Sequence, residues 1–330
     1  MRVTVVGAGV AGLVVATELV ARGCAVELLE RGTTLGAGSC SWLAGGMLAP
    51  WCERESAEAP VVTLGREALE WWPRHHAATE RHGSLVLALR RDEPDLDRFA
   101  RRTSGYERLD GEGVAALEPD LAGRFGRGLF FPGEAHLDPR AALASLARAL
   151  ERNGAPIRFG VEARDLPGPV IDCRGFAARD RLPDLRGVKG EMLLVRCPDV
   201  ELRRPVRLVH PRFPLYVVPR PGHRFMIGAT MIESDERMRV TARSVVELLN
   251  AAYALHPAFA EAEILELGAD VRPAFPDNLP RIRREGDRFL VNGLYRHGFL
   301  LAPALARRVA AALLDGAVFP EVMDEDHRQQ

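Results

Sequence analysis

The sequence predicts an α/β protein, α+β overall, in which a Rossmann-like domain is interleaved with a sheet-rich antiparallel one. Three observations carry this. RVTVV–GAGVAG–helix–AVELLE over residues 2–30 is a complete strand, glycine turn, helix and second strand. GEMLLVRC, LYVVPR and RFMIGAT, within residues 187–232, alternate apolar and polar residues with the period of two expected of antiparallel strands. RFLVNGLY (288–295) and LLAPALARRVAAALLDG (300–316) then read as a strand and turn followed by a closing helix, so the chain returns to the first sheet at its end.

In the opening unit Gly7, Gly9 and Gly12 occupy the GxGxxG positions. The first permits a tight turn, the second lets the backbone approach a pyrophosphate, and the third allows helix to pack closely on strand. The helix N-terminus presents free N–H groups and the positive end of its dipole to an anion. Glu30 closes the second strand where a carboxylate would bind ribose hydroxyls. It disfavours NADP but does not separate NAD from FAD. The small-residue loop GAGSCSWLAGGMLAP (36–50) favours FAD, since a second close backbone approach suits an extended cofactor. GRFGRG (123–128) has the wrong spacing for a second dinucleotide site.

The apolar run 3–21 could suggest a membrane anchor, but regular glycines and Glu18 interrupt it and no basic region precedes it. Trp71 and Trp72 read as core, and His75, His76 and His82 as solvated residues without metal-ligand spacing. HLDPRAALASLARALERNG (136–154) is a helix, with Asp138 as N-cap, Pro139 in its first turn and Gly154 as its stop. PIRFGVE (156–162) and PVIDCRG (169–175) read as short strands, the second returning to the nucleotide-binding sheet. VTARSVVELLNAAYALHP (240–257) is a further helix, and EDHRQQ at the end reads as a frayed tail.

Composition narrows the function classes. The chain has 330 residues, 47% hydrophobic and 27% charged, with a net charge of -1, so no global basic field points to nucleic acid or anionic lipid. Five cysteines, none in a CxxC pair, fit a reducing cytoplasm better than a disulfide framework or zinc site; no metal is expected. Lys189 is the single lysine, which argues against Schiff-base chemistry.

Several ordered blocks together give a more specific signal: VVGAGVAGL…LLERG, GSCSWLAGGMLAP, LYVVPRPGHRFMIGATM (215–231), VRPAFPDNLP (271–280) and GLYRHGFLLAP (293–303). Over nearly the whole chain the sequence resembles the D-amino-acid oxidase superfamily, specifically the glycine oxidases of thiamine biosynthesis. The resemblance implies FAD as cofactor and a small amino acid and O2 as partners. It implies oxidation to an imino acid, hydrolysis to an oxo acid (glyoxylate from glycine) and ammonia, and formation of hydrogen peroxide. It also divides the chain into an FAD-binding domain (1–80, 132–186 and 270–330) and a substrate-binding domain (81–131 and 187–269).

The same resemblance assigns FAD contacts to Gly7, Gly9, Gly12, Glu30, Arg31, Ser39, Gly45, Gly46, Met47, Val161, Gly298, Leu300 and Leu301. Arg272 and Arg296 would grip the substrate carboxylate with Tyr216 as hydroxyl donor, and Met231 and His297 would line the pocket. Arginine suits this task because its planar fork makes two parallel hydrogen bonds. Each has a plainer reading: Arg272 as a cap of the preceding strand or bound to Asp277, Arg296 bound to a structural carboxylate, Tyr216 and Met231 as packing, His297 as a turn residue.

Pro214 stands where bacterial glycine oxidases carry a histidine, which loosens any strict preference for glycine. No cysteine follows Cys197 and Trp42 replaces a linking histidine, so FAD is expected to be non-covalent. A D-amino-acid or sarcosine oxidase, a dehydrogenase with a non-oxygen acceptor, and a flavin-binding subunit without activity remain as other readings. A cytoplasmic protein without membrane association is expected, as a monomer or a homo-oligomer.

Overall fold

The computed structural model describes residues 1–164, 166–210 and 214–324. Two sheets organise it. The first runs in the order Arg281–Glu285, Arg288–Asn292, Val170–Asp172, Arg2–Val6, Ala25–Glu30, Ile157–Phe159. All its neighbours are parallel except the Arg281–Glu285 and Arg288–Asn292 hairpin. The expected return of residues 169–175 is met: Val5 pairs with Ile171.

Helices Val10–Ala21, Pro139–Arg152 and Gly298–Asp315 share one apolar core with this sheet. Val10–Ala21 is apolar around nearly its whole circumference apart from Thr17 and Glu18, as suits a helix packed between sheet and other helices. Asp138 caps Pro139–Arg152 through the backbone N–H groups of Arg140 and Ala141. Gly316 ends the closing helix at φ 68°, a conformation that favours glycine. That helix begins at Gly298, two residues earlier than expected.

Trp71 and Trp72 are core residues, fully enclosed. Each indole still finds an acceptor: Trp71 donates to Glu18, and Trp72 donates to the Phe299 carbonyl at 2.7 Å. The second bond ties the first turn of the closing helix to the core. His76 is a correction to the reading of three solvated histidines. It is buried, with Nδ1 3.1 Å from Ser145 Oγ, because Pro139–Arg152 packs over it.

The second sheet has nine strands among the described residues. Its centre is antiparallel: Arg186–Arg196, Arg224–Gly228, Leu215–Arg220 and Val206–Val209 lie side by side. Glu263–Ala274 pairs along the whole length of Arg186–Arg196. Val206–Val209 continues into Ser84–Ala88 through a parallel pairing that local alternation does not reveal. Helix Ala242–Leu255, capped by Thr241, closes this sheet's core. No helix among the described residues is long and apolar enough to cross a membrane. The terminal residues 325–330 lie outside the described residues.

Candidate active site

The glycine turn forms one wall of a cleft of about 390 Å3. Gly7 has φ +100°, and a Cβ there would stand 2.7 Å from the Cys173 carbonyl oxygen. A Cβ on Gly12 would stand 1.8 Å from the Gly7 carbonyl oxygen, so this position fixes helix against strand and does not itself line the cleft. Gly9 does line it. Glu30 stands at the cleft and accepts the backbone N–H groups of Ala8 and Gly32, each at 2.7 Å. Arg31, Ser39, Val161 and Gly298 line the same space. A bare glycine edge at a helix N-terminus, a carboxylate at the end of the next strand and a long cleft between them fit FAD.

A second cavity, of about 90 Å3, shares walls with the first at Val10, Cys40, Ser41, Asp270, Tyr295 and Gly298. Its floor is the antiparallel sheet. Cross-strand register places Arg207, Tyr216, Gly228 and Met192 in one row across four strands. The Tyr216 ring lies in a slot left by two glycines: Cβ atoms would come 3.1 Å from it at Gly45 and 3.2 Å at Gly228. Burial raises the Tyr216 phenol above its usual range, so it remains a hydroxyl donor.

Arg272, on Glu263–Ala274, reaches the cavity from the side. Its Nη1 donates to the Thr230 carbonyl at 3.0 Å. Asp277 bonds instead to Arg281, so the reading of Arg272 as its partner is not realised. Arg296 lies between the strand Arg288–Asn292 and the closing helix, and it is not free. Its Nη2 stands 2.9 Å from Glu53 Oε2 and bonds to Ser56 Oγ, and its Nη1 donates to Met231 Sδ at 3.4 Å. The plainer reading of Arg296, a bond to a structural carboxylate, is therefore present in the molecule. Among the described residues Nε of Arg296 has no partner.

Glu53 is the central residue that the sequence did not disclose. It is 7% exposed. One oxygen accepts from Arg207 Nη2, and the other meets Arg296 and stands 3.4 Å from His297 Nδ1. The contact with Arg296 is close but lies outside hydrogen-bonding angles. Burial pushes the Glu53 carboxyl up, but Arg296 and Arg207 pull it further down, to a net value well below the usual range. Burial, reinforced by Arg296, Arg207 and Arg272, lowers His297 to about 3 despite the Glu53 charge. Glu53 is thus ionised and His297 neutral at ordinary pH.

Gly45, Gly46, Met47, Gly298 and Leu300 line the small cavity, together with Tyr216, Arg272, Arg296 and His297. Gly46, at φ +70°, backs onto the Leu137 carbonyl, which a Cβ would approach to 2.2 Å. Besides Gly12, two assigned residues lie elsewhere. Met231 is 51% exposed and sits over the cavity's rim, bonded to Tyr295 and Arg296. Leu301 is fully buried behind the wall, one turn into the helix. Arg220 was also missed: its side chain is enclosed and donates to the Gly45 carbonyl at 2.7 Å, holding the loop that faces both cavities. Glu53 hides in the charged stretch WCERESAE, which reads as surface. Arg207 hides in a strand whose partner is set only by tertiary pairing.

Comparison with known proteins identifies the family. A family model described as FAD dependent oxidoreductase, DAO, matches residues 2–312. The chain is 60% identical to the "Putative thiamine biosynthesis oxidoreductase ThiO" of Rhizobium etli, covering 97% of this chain and 99% of that one. It is 31% identical to a glycine oxidase of Geobacillus kaustophilus, covering 93% and 91%. The crystal structure of glycine oxidase from Geobacillus kaustophilus superposes with a TM-score of 0.81 at 27% identity, over 98% of this chain and 99% of that one. A nucleotide cleft that opens onto a small cavity holding two arginines and a tyrosine is what an amino acid oxidoreductase requires, and the chain belongs to the DAO family of FAD-dependent oxidoreductases.

Proposed function

We propose that the protein oxidises glycine, or another small primary or secondary amino acid, to the imino acid. Water hydrolyses the imine to the oxo acid (glyoxylate from glycine) and ammonia or an amine. The two electrons and two protons removed from the substrate reduce O2 to hydrogen peroxide. The proposed setting is thiazole formation in thiamine biosynthesis, where the imine is the useful product; the name of the Rhizobium etli relative supports this.

The observation that carries the reading is the placement of Arg272 and Tyr216 in a 90 Å3 cavity that shares a wall with the cofactor cleft. FAD held in the cleft would supply the two-electron acceptor for oxidation of the substrate Cα–H. The protein's part is to bind and orient. Arg272 supplies a fork for the carboxylate and Tyr216 a hydroxyl donor beside it. Arg296, held by Glu53, adds positive potential at the far wall. His297 is neutral and adds no competing charge. The small volume favours a substrate with little or no side chain.

The substrate must present a neutral amine, and no side chain of the cavity is required as its base. The rate should therefore follow ionisation of the substrate's own amine. Aerobic turnover with glycine tests the reading: glyoxylate, ammonia and peroxide should form one for one for one. Glyoxylate without peroxide would assign the electrons to another acceptor, and bound FAD with no product from any small amine would leave a flavin-binding subunit.

A further inference from the structure

Gly190 lies inside Arg186–Arg196, opposite Asp270 on Glu263–Ala274. A glycine in mid-strand loses side-chain packing and weakens the strand, so it calls for a reason. Backbone conformation does not supply one. Gly190 is not among the glycines with positive φ, unlike Gly7 and Gly46, so an alanine could adopt its geometry.

Space supplies the reason. A Cβ at Gly190 would stand 2.1 Å from Arg272 Nη2, 2.3 Å from Cζ and 2.8 Å from Nη1. These are the three nearest heavy atoms, and all belong to one guanidinium. Arg272 itself pairs with Val188. Its side chain therefore runs diagonally along the sheet face, two residues on, and lies flat over the backbone of Gly190. From the other side the Thr230 carbonyl takes Nη1 at 3.0 Å. Thr230 is itself pinned to the same strand: its Oγ1 accepts from Glu191 N at 2.9 Å, and its N–H donates to Glu191 O at 3.2 Å.

We propose that Gly190 is a positioning residue: its missing side chain is the seat that sets the Arg272 guanidinium at the height and angle needed to grip the substrate carboxylate. The inference rests on Arg272 being the carboxylate anchor. The atoms that a Cβ would strike are the far end of a flexible side chain, so the fold can accommodate the change while the anchor cannot keep its place. Gly190→Ala is expected to keep FAD bound and to melt at or above the wild-type temperature, since it lowers the entropy of the unfolded chain.

Its cost falls on binding. The glycine KM should rise about 10- to 100-fold, the loss of roughly one charge-assisted hydrogen bond, with kcat changed far less. A double-mutant cycle separates this from a general packing effect: in an Arg272→Met background, Gly190→Ala should add nothing to the KM. An unchanged KM in the single variant, or an equal further rise in the Arg272→Met background, would overturn the proposal. So would loss of the fold or of FAD, since the Cβ would then strike more than a movable guanidinium.

Glycolate, a non-amine carboxylate, provides an equilibrium readout through its perturbation of the bound flavin spectrum. Wild-type protein that binds glycolate but oxidises no amine would count against the proposed activity while still allowing the seat to be judged. Glycolate affinity should then fall by the same factor in Gly190→Ala, and an unaltered affinity would again overturn the proposal.

Discussion

Replacing Glu53 by glutamine keeps the shape of a buried group and deletes its charge. Glu53 is the shared counter-ion of Arg207 and Arg296, with side-chain exposures of 14% and 22%. Removing one partner of a buried ion pair costs about 3–5 kcal/mol, because the other charge stays behind without compensation. Both guanidiniums reach some solvent, so the lower figure, about 3 kcal/mol, applies. In a chain of this size each kcal/mol moves the midpoint by about 1.4 °C, which gives a fall of roughly 4 °C. The assay is thermal unfolding of FAD-loaded protein followed by flavin release.

Acid gives the same prediction a second reading. The folded pKa of Glu53 lies below its unfolded value, near 4.3. Its contribution is therefore fully present above that unfolded value and is lost as pH falls through it toward the folded one. The gap between wild type and Glu53→Gln should hold from about pH 8 to about pH 5.5 and close only below about pH 4. A midpoint shift under about 1 °C at neutral pH would refute the reasoning, because the carboxylate would then contribute nothing beyond an amide.

Other outcomes follow from the same structure. Arg272→Met should raise the glycine KM by about 100-fold or more with FAD retained, whereas Arg296→Met, whose guanidinium is already engaged by Glu53, should raise it by only about tenfold; steady-state kinetics ranks the two. Gly12→Ala should abolish FAD binding, since its Cβ would enter the Gly7 carbonyl, and the purified protein should be colourless. Burial lowers His297 and His136 to about 3 each, so they take up protons below about pH 6.5 only when unfolded. Each removes about 1.4 kcal/mol per pH unit below that point; burial raises Glu134 to about 7, which works the other way, and the melting midpoint should fall modestly from pH 7 to pH 5.

What was readable in the sequence was what local pattern encodes. The strand, glycine turn and helix of residues 2–21 and the acid at position 30 form a contiguous unit whose spacing states its geometry. Arg296 stood out as a charge within an apolar stretch, whereas Tyr216 and Arg272 were assigned by the resemblance of the blocks that hold them. The unread part depends on contacts between distant segments. Glu53 is buried because Arg207 and Arg296 arrive from 154 and 243 residues away. The parallel pairing of Val206–Val209 with Ser84–Ala88 has no local turn to announce it. His76 read as solvated because the helix that covers it comes 69 residues later. Gly190 looked like any strand residue until Arg272 was laid across it.

The most direct test of the central claim is the visible spectrum of FAD-loaded protein under anaerobic conditions, before and after addition of glycine. If the cavity beside the cleft binds a small amino acid by its carboxylate, the oxidised flavin bands bleach with glycine. They then bleach about 100-fold more slowly in Arg272→Met at the same sub-saturating glycine concentration. Bands that persist in the wild-type protein with glycine, sarcosine and D-alanine alike would contradict the account.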